Sequence, residues 1–264
     1  MSNHILVGPV LGFRGLQEGR WNTSALVVLQ GNDHPPRLII SVAGEQPEEA
    51  KPILLKTYAG CQVWRLEWSV ALTAQQQTVA YSIDGGQAFR YVVPEQNKSL
   101  RICYGSCFGV HHQQDLNKVR NRNTMWKVLL KVHQQRPYHL FILGGDQVYA
   151  DQVWETVQPL KDWLGKPLKK RVQAPFTADM EQQVAQFYFG LYCQMWRQKK
   201  AAAILSQVPT LMMWDDHDIF DGWGSYSPEQ QDSAVFAGIY AQAREHFRLF
   251  QLQAKDDDDL GEGA

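Results

Sequence analysis

The sequence predicts an α/β protein in two successive parts: a small β-sandwich, then a unit in which strands alternate with helices. Up to about residue 98, short runs of β-branched and aromatic residues are separated by turn signals such as Asp84-Gly85-Gly86, which is typical of a sandwich of short strands. After residue 100, apolar runs alternate with stretches whose apolar residues recur at helical spacing. That alternation favours βαβ units and a parallel sheet.

The first part contains six runs that we expect to be strands. They are residues 25–29, 37–42, 53–55, 61–70, 77–83 and 89–93. The two glycines of the Asp84-Gly85-Gly86 turn indicate a hairpin between the last two strands. Residues 94–99 are polar and mark a boundary, so we expect a β-rich domain over residues 1–98.

The second part contains three strand-like runs and three helical stripes. The strand-like runs end at Tyr104, Leu143 and Met213. The first helical stripe covers residues 123–135, and Pro137 lies just beyond it. The second stripe consists of Val184, Phe187, Leu191 and Met195. The third consists of Val235, Ile239, Ala243, Phe247 and Phe250, and the start signal Ser227-Pro228-Glu229 precedes it. We expect an α/β domain over residues 99–252 and a disordered acidic tail over residues 253–264.

Composition excludes several classes of protein. With 44% hydrophobic and 20% charged residues, the chain of 264 residues has the composition of a globular protein. The net charge of −1 provides no basic field for general nucleic-acid binding, and no apolar run reaches the length of a membrane span. The four cysteines match no zinc-finger pattern. The first residues resemble no export signal, so we expect a cytoplasmic location.

Candidate metal ligands follow each of the three strand-like runs of the second part. Cys107 follows the first run, Asp146 and Tyr149 follow the second, and Asp216 and His217 follow the third. Ligands of open α/β sheets bind beyond the carboxyl ends of the strands. If the three strands are neighbours, these five side chains converge on one site.

The residue types at this site suit a two-metal hydrolase. Asp146 can bridge both ions, while the Cys107 thiolate and the Tyr149 phenolate favour iron or a similarly acidic ion at one position. Asp216 serves the second ion. Two cations about 3.5–4 Å apart can hold a hydroxide and clamp the oxygens of a phosphoryl group. His217 can then donate a proton to the leaving oxygen or a hydrogen bond to a phosphoryl oxygen.

Each of these residues also has a purely structural interpretation. Taken alone, Cys107 is more often a small buried apolar residue and Tyr149 a packing residue. Asp146 alone fits a turn or helix-cap residue as well as it fits a ligand. Residues 215–218 (DDHD) can form a solvated helix start, although their carboxylates repel one another unless a cation offsets the charge. We interpret His111-His112 as part of a polar loop rather than as a second metal site or as contacts to a phosphate.

Together these motifs resemble the PhoD-like (alkaline phosphatase D) branch of the metallophosphoesterase superfamily. The matching segments, within residues 100 to about 250, are Gly105-Ser106-Cys107, Gly145-Asp146-Gln147-Val148-Tyr149 and Trp214-Asp215-Asp216-His217-Asp218. The resemblance implies that Asp216 takes the place of a metal-binding asparagine and that His217 is the catalytic histidine. It also implies calcium or another divalent ion at the second position, and a small-molecule or polymeric phosphoester as substrate.

One departure from the family pattern changes the expected fold. The superfamily's later Gly-His motifs, which supply further ligands, have no counterpart here, since no Gly-His pair occurs and the last histidine is His246. We therefore expect a small β-sandwich followed by the first half of a metallophosphoesterase-like α/β sandwich. Such an incomplete catalytic domain leaves an unpaired sheet edge and exposed core surface.

Three functions remain open from the sequence. The first is a metal-dependent phosphoric-ester hydrolase, and the second is a catalytically inactive fragment that retains a partial metal site. The third is a binding module built on the N-terminal β region. Exposed aromatic residues there would support this third function, but we interpret Trp21, Trp64 and Trp68 as core residues. The sequence indicates no particular protein partner.

Overall fold

Strands form two sheets in the computed structural model, which describes residues 4–31, 34–110, 118–121 and 123–255. The strands, β1 to β11 in chain order, are His4–Gln17, Arg20–Gln30, Leu38–Val42, Glu48–Glu49, Lys51–Tyr58, Cys61–Ala71, Gln77–Ile83, Ala88–Val93, Ile102–Gly105, Leu140–Gly144 and Thr210–Met213. The larger sheet has the order β5-β6-β2-β1-β11-β10-β9, and the smaller one has the order β4-β3-β7-β8. The chain is thus mixed α/β, as predicted.

The larger sheet combines an antiparallel part and a parallel part. Strands β5, β6, β2 and β1 pair antiparallel, whereas β1, β11, β10 and β9 pair parallel. Gly12 of β1 pairs with Thr210 of β11. The sheet therefore continues across the boundary that we predict at residue 98, and the division into domains stays a prediction.

The smaller sheet packs against one face of the antiparallel part. The core between the two sheets comes entirely from the first hundred residues and contains Trp21, Trp64 and Trp68, which are 0%, 8% and 8% exposed. The predicted hairpin is present, because Ser82 of β7 pairs with Ala88 of β8 across the turn. Since the three tryptophans are buried, they provide no aromatic surface for a binding module.

Helices cover the opposite face of the larger sheet. Labelled α1 to α8, they are Thr124–Gln135, Val153–Thr156, Gln158–Leu164, Leu168–Val172, Ala178–Trp196, Lys199–Leu205, Pro228–Gln231 and Ala234–Phe250, with a 3₁₀ turn over Asp216–Asp218. Along β2, Leu26 and Val28 face the helices while Val27 and Leu29 face the smaller sheet. Successive side chains of the strand therefore point to opposite faces of the sheet. Because both faces are buried, residues 25–29 are apolar without interruption.

The long helices begin at side-chain caps. Thr177 accepts a hydrogen bond from the Met180 N–H at the start of α5, and Ser233 accepts one from the Phe236 N–H at the start of α8. The start signal at Ser227-Pro228-Glu229 opens only the short helix α7. The predicted beginning of the third helical stripe was therefore six residues too early. Among the helices of the described residues, none is long and apolar enough to cross a bilayer.

Candidate metal centre

Three loops meet at the carboxyl edge of the parallel strands. Strands β9, β10 and β11 are immediate neighbours, with β10 in the middle. Leu143 pairs with Gly105, and Gly144 pairs with Met213, so the three strands end at the same level. The loops that carry the predicted ligands therefore start side by side, as the sequence argument required.

Left-handed backbone conformations bring the first two loops together. Gly145, Asp146 and Cys107 have φ angles of 107°, 56° and 57°. The Cys107 N–H donates to the Gly145 carbonyl at 3.1 Å, and the Phe108 N–H donates to the Asp146 carbonyl at 2.9 Å. A Cβ atom at position 145 would lie 2.7 Å from the Cβ atom of Asp215. Glycine is thus required at this position both for its φ angle and for the close approach of the third loop.

Asp146, Asp216 and His217 form a group that can hold a metal ion. One ligand atom from each residue lies within 4.8 Å of the others. The Oδ1 atom of Asp146 is buried and has no hydrogen-bond partner among the described residues. Burial raises the pKa of the Asp146 carboxyl, and the neighbouring carboxylates of Asp215 and Asp216 add to that rise. A buried, crowded and unpartnered carboxylate oxygen fits a bound cation, which would offset this cost.

Cys107 and Tyr149 both lie against this group and close to each other. The Cys107 thiol is exposed and approaches Asp146 Oδ2 at 3.4 Å, while the Tyr149 ring stacks on the His217 ring with 4.4 Å between centroids. Burial raises the pKa of the Tyr149 phenol, and the Asp146 carboxylate raises it further. The phenol therefore stays protonated unless a cation is near. The donor set of thiol, phenol and carboxylate fits an acidic metal ion that would lower this pKa.

Asp151 orients the His217 ring. The Nδ1 atom of His217 lies 3.1 and 3.0 Å from the two carboxylate oxygens of Asp151, and Nε2 lies 3.7 Å from Asp221 Oδ1. The Asp221 N–H donates to Asp151 at 2.8 Å and so fixes the carboxylate. Burial alone would lower the pKa of His217, but the Asp151 and Asp216 carboxylates outweigh it and raise that pKa.

Asp218 is a buried structural carboxylate. It is 1% exposed and accepts hydrogen bonds from the backbone N–H groups of Asp146 (2.7 Å), Asp215 (3.0 Å) and Val148 (3.4 Å), and from the side chain of Gln251 (2.8 Å). Burial raises its pKa to about 7, against these donors. Asp218 thus ties the loop after β10 to the loop after β11.

Comparison with known proteins shows the family of the chain. Residues 69–257, well over half of the chain, match the sequence model of the family described as PhoD related phosphatase. The chain belongs to the PhoD-related phosphatase family. The protein named "Uncharacterized protein YGR266W" from Saccharomyces cerevisiae is 27% identical over 281 residues, which cover 94% of this chain and 40% of the yeast protein.

Two solved structures resemble the chain at low sequence identity. The structure titled "Structure of PhoD" is 13% identical with a TM-score of 0.49, covering 90% of this chain and 45% of its own. A purple acid phosphatase from seeds of yellow lupin (Lupinus luteus) is 10% identical with a TM-score of 0.43, covering 87% of this chain and 39% of its own. This PhoD-related chain therefore spans less than half the length of each of these three proteins.

Contacts join the predicted site residues of this PhoD-related chain. Asp146, Asp216 and His217 lie together, Cys107 reaches Asp146, and Tyr149 reaches His217. The individual roles predicted for these residues stay predictions. The residue pair His111-His112 and the acidic tail from residue 256 lie outside the described residues.

Two residues that shape the site, Asp151 and Gln251, are not among those predicted from the sequence. Asp151 follows Tyr149 by two positions, and a second carboxylate so close to the motif was the available signal. Gln251 bonds to Asp218, but it lies just after α8 in a polar stretch with no distinguishing pattern. Its contact is made only by the folding of α8 across the sheet.

Proposed function

We propose that this chain carries the metal-binding and proton-donating residues of a metal-dependent phosphoester hydrolase. Cys107, Asp146 and Tyr149 would hold one ion, for which iron fits the donor set, and Asp146 and Asp216 would hold a second, calcium or another divalent ion. The observation that carries the proposal is the buried Oδ1 of Asp146, which lies beside Asp216 and His217 and has no hydrogen-bond partner in the part of the chain that the structure describes.

The bound ions would supply positive charge that activates water and polarises the phosphoryl oxygens. The chain's own residues would position that charge. Asp146 is held by the backbone bond from its N–H to Asp218, so its carboxylate stays at the middle strand of the three. Asp216 is held by the Gly222 N–H, which donates to its Oδ2 at 2.6 Å.

His217 is the proposed general acid. The Asp151 carboxylate accepts from Nδ1, so the proton available for transfer is the one on Nε2. The same carboxylate raises the pKa of the ring, which favours the protonated form that a leaving oxygen requires. Stacking on Tyr149 supports the ring face.

Metal content and hydrolysis of generic phosphoesters test this proposal together. We expect the purified chain to contain bound metal by mass spectrometry, and Asp146→Ala to lose it. Asp162→Ala, at an exposed carboxylate of α3, is the matched control and should retain the metal. His217→Gln should also retain the metal but hydrolyse p-nitrophenyl phosphate or bis(p-nitrophenyl) phosphate about 10²–10⁴ times more slowly.

A metal-binding chain without hydrolytic activity is the second candidate. The sequence favours it, because it contains no Gly-His motif that would supply further metal ligands. Bound metal that Asp146→Ala removes, with no hydrolysis of either ester, would select this candidate. A folded chain without metal would contradict both.

A further inference from the structure

A cavity lies beside the loop that follows the 3₁₀ turn. Its volume is about 260 Å³, and it is separate from the proposed metal ligands. Its walls come from α2, α3, α4, α7, α8 and the loop before α7. The lining residues are Trp154, Trp163, Leu164, Arg171, Tyr226, Gln230 and Phe236.

Flat aromatic rings form most of the walls. Trp154 and Trp163 are nearly parallel, with centroids 5.8 Å apart and an interplanar angle of 19°. Tyr226 meets Phe236 edge-on at 5.0 Å. Such walls favour a planar ring over an aliphatic chain, because a ring gains both stacking and edge-to-face contacts.

Arg171 is the charged residue of the cavity wall. Its guanidinium lies 5.3 Å from the centroid of the Trp163 ring, and its backbone carbonyl accepts from the Trp163 indole at 3.0 Å. The Nε atom of Arg171 is buried and has no hydrogen-bond partner among the described residues. The guanidinium carries further N–H donors, which a ring with an acceptor atom at its edge can satisfy and a plain hydrocarbon ring cannot.

Tyr226 connects the cavity to the candidate metal centre. Its hydroxyl donates to the Asp221 carbonyl at 2.8 Å, and the Asp221 carboxylate lies 3.7 Å from His217 Nε2. Burial raises the pKa of Tyr226, and the charges of Asp221, Asp151 and Asp216 raise it further. The cavity wall therefore lies within electrostatic reach of the residues that would act on phosphorus.

We propose that this cavity binds a planar heteroaromatic ring of nucleobase size, carried by the phosphoester on which the metal centre acts. The aromatic walls select a flat ring, and Arg171 selects one with an acceptor at its edge. The proposal that the cavity binds a ring depends only on the residues that line the cavity. The assignment of the ring to a substrate rests on the proposed function.

Binding of adenosine, compared with ribose, tests the cavity without any need for catalysis. In equilibrium dialysis against the full 264-residue chain, we expect adenosine to bind and ribose to show no binding. Trp154→Leu and Arg171→Gln should each weaken adenosine binding about tenfold. Trp223→Leu, a tryptophan of the same aromatic cluster that does not line the cavity, is the matched control and should bind adenosine as the unaltered chain does.

Several results would overturn the cavity proposal. Adenosine that binds no better than ribose would do so, as would folded Trp154→Leu and Arg171→Gln variants with unaltered adenosine binding. If Trp154→Leu does not fold, Arg171→Gln decides alone, since Arg171 is partly exposed and lies in the short helix α4.

Hydrolysis of adenosine 5′-phosphate and ribose 5-phosphate separates this proposal from the proposed function. We expect kcat/KM to be about tenfold higher for the nucleotide and Arg171→Gln to remove that preference. Adenosine binding without hydrolysis of either ester would retain the ring site and reject its assignment to a substrate. Hydrolysis of both esters at equal rates, without adenosine binding, would reject the ring site and retain the hydrolase.

Discussion

Backbone strain at the candidate metal centre falls on two residues that are not glycine, Cys107 and Asp146. Both have φ angles near +57°, a conformation that costs a non-glycine residue on the order of 1 kcal/mol or more. Such strain persists only where the surroundings hold it in place, and it is concentrated at functional sites. Here the two backbone hydrogen bonds between these loops hold it.

We expect Asp218 to stabilise the contact between the loop after β10 and the loop after β11. Replacing Asp218 with alanine removes the acceptor of three backbone N–H groups and one side-chain amide. Because buried donors without partners are costly, we expect Asp218→Ala to lower the free energy of unfolding by about 3 kcal/mol, measured by urea denaturation. Metal content should fall as well, although Asp218 is not a proposed ligand.

Asp218→Asn is the matched control for this prediction. The amide has nearly the same shape and keeps one acceptor oxygen, so we expect a smaller loss than for alanine. A wild-type denaturation midpoint for Asp218→Ala would show that the buried carboxylate does not join the two loops as the hydrogen bonds indicate.

Some helices and strands have a recognisable pattern in their own sequence, and others do not. Helix α5 and helix α8 carry clear apolar stripes, and β9, β10 and β11 are apolar runs before polar loops. Strand β1 was missed, although it is the longest strand of the described residues. Its sequence is interrupted by Gly8-Pro9, Arg14 and Gly15, and shifts in its pairing register with β2 occur around these positions.

Helix α8 carries a buried histidine that should make the fold sensitive to acid. His246 is 1% exposed; its Nδ1 bonds to the Gln242 carbonyl, while its Nε2 has no hydrogen-bond partner among the described residues. Burial lowers the pKa of His246 to about 4. Since an unfolded histidine has a pKa of about 6.5, the unfolded chain binds more protons than the folded chain between the unfolded and the folded pKa of His246. Stability should therefore fall as the pH is lowered through that window.

The variant His246→Phe should remove this part of the acid sensitivity. We expect the loss of unfolding free energy between pH 7.5 and pH 5 to shrink by about 2 kcal/mol relative to the unaltered chain. Urea denaturation at the two pH values measures it. His4→Gln, at an exposed histidine of β1, is the control. An equal acid sensitivity in His246→Phe and the unaltered chain would contradict the prediction.

The larger sheet runs through both parts of the molecule, and in the described part of the chain its parallel strands are covered by helices on one face only. Helices pack on one face of β9, β10 and β11. On the other face, Ile102, Tyr104, Leu211 and Met213 are 47%, 67%, 42% and 60% exposed. The strand pairings place Tyr104, Ile142 and Leu211 side by side, so these exposed apolar side chains are contiguous.

This apolar face should make the chain self-associate. A contiguous exposed apolar patch is a common site of association. We expect a double variant, Leu211→Thr with Met213→Thr, to raise the Kd of self-association about tenfold or more, because less apolar surface is removed from water. Sedimentation velocity across a concentration series measures it.

The matched control changes two exposed leucines on other strands, Leu16 of β1 and Leu54 of β5, to threonine. This control should associate as the unaltered chain does. If both double variants sediment alike, the face of β9, β10 and β11 is not the surface through which the chain associates.

Short-range patterns of apolar, glycine and acidic residues were enough to predict the α/β class, the three loops with candidate ligands and the resemblance to the PhoD-like branch. The contacts between distant residues became visible only in the folded chain. Asp151 meets His217 across 66 positions, Asp218 meets Asp146 across 72, and Gly12 of β1 pairs with Thr210 of β11. Such contacts form when packing brings whole elements together, and no local pattern records them.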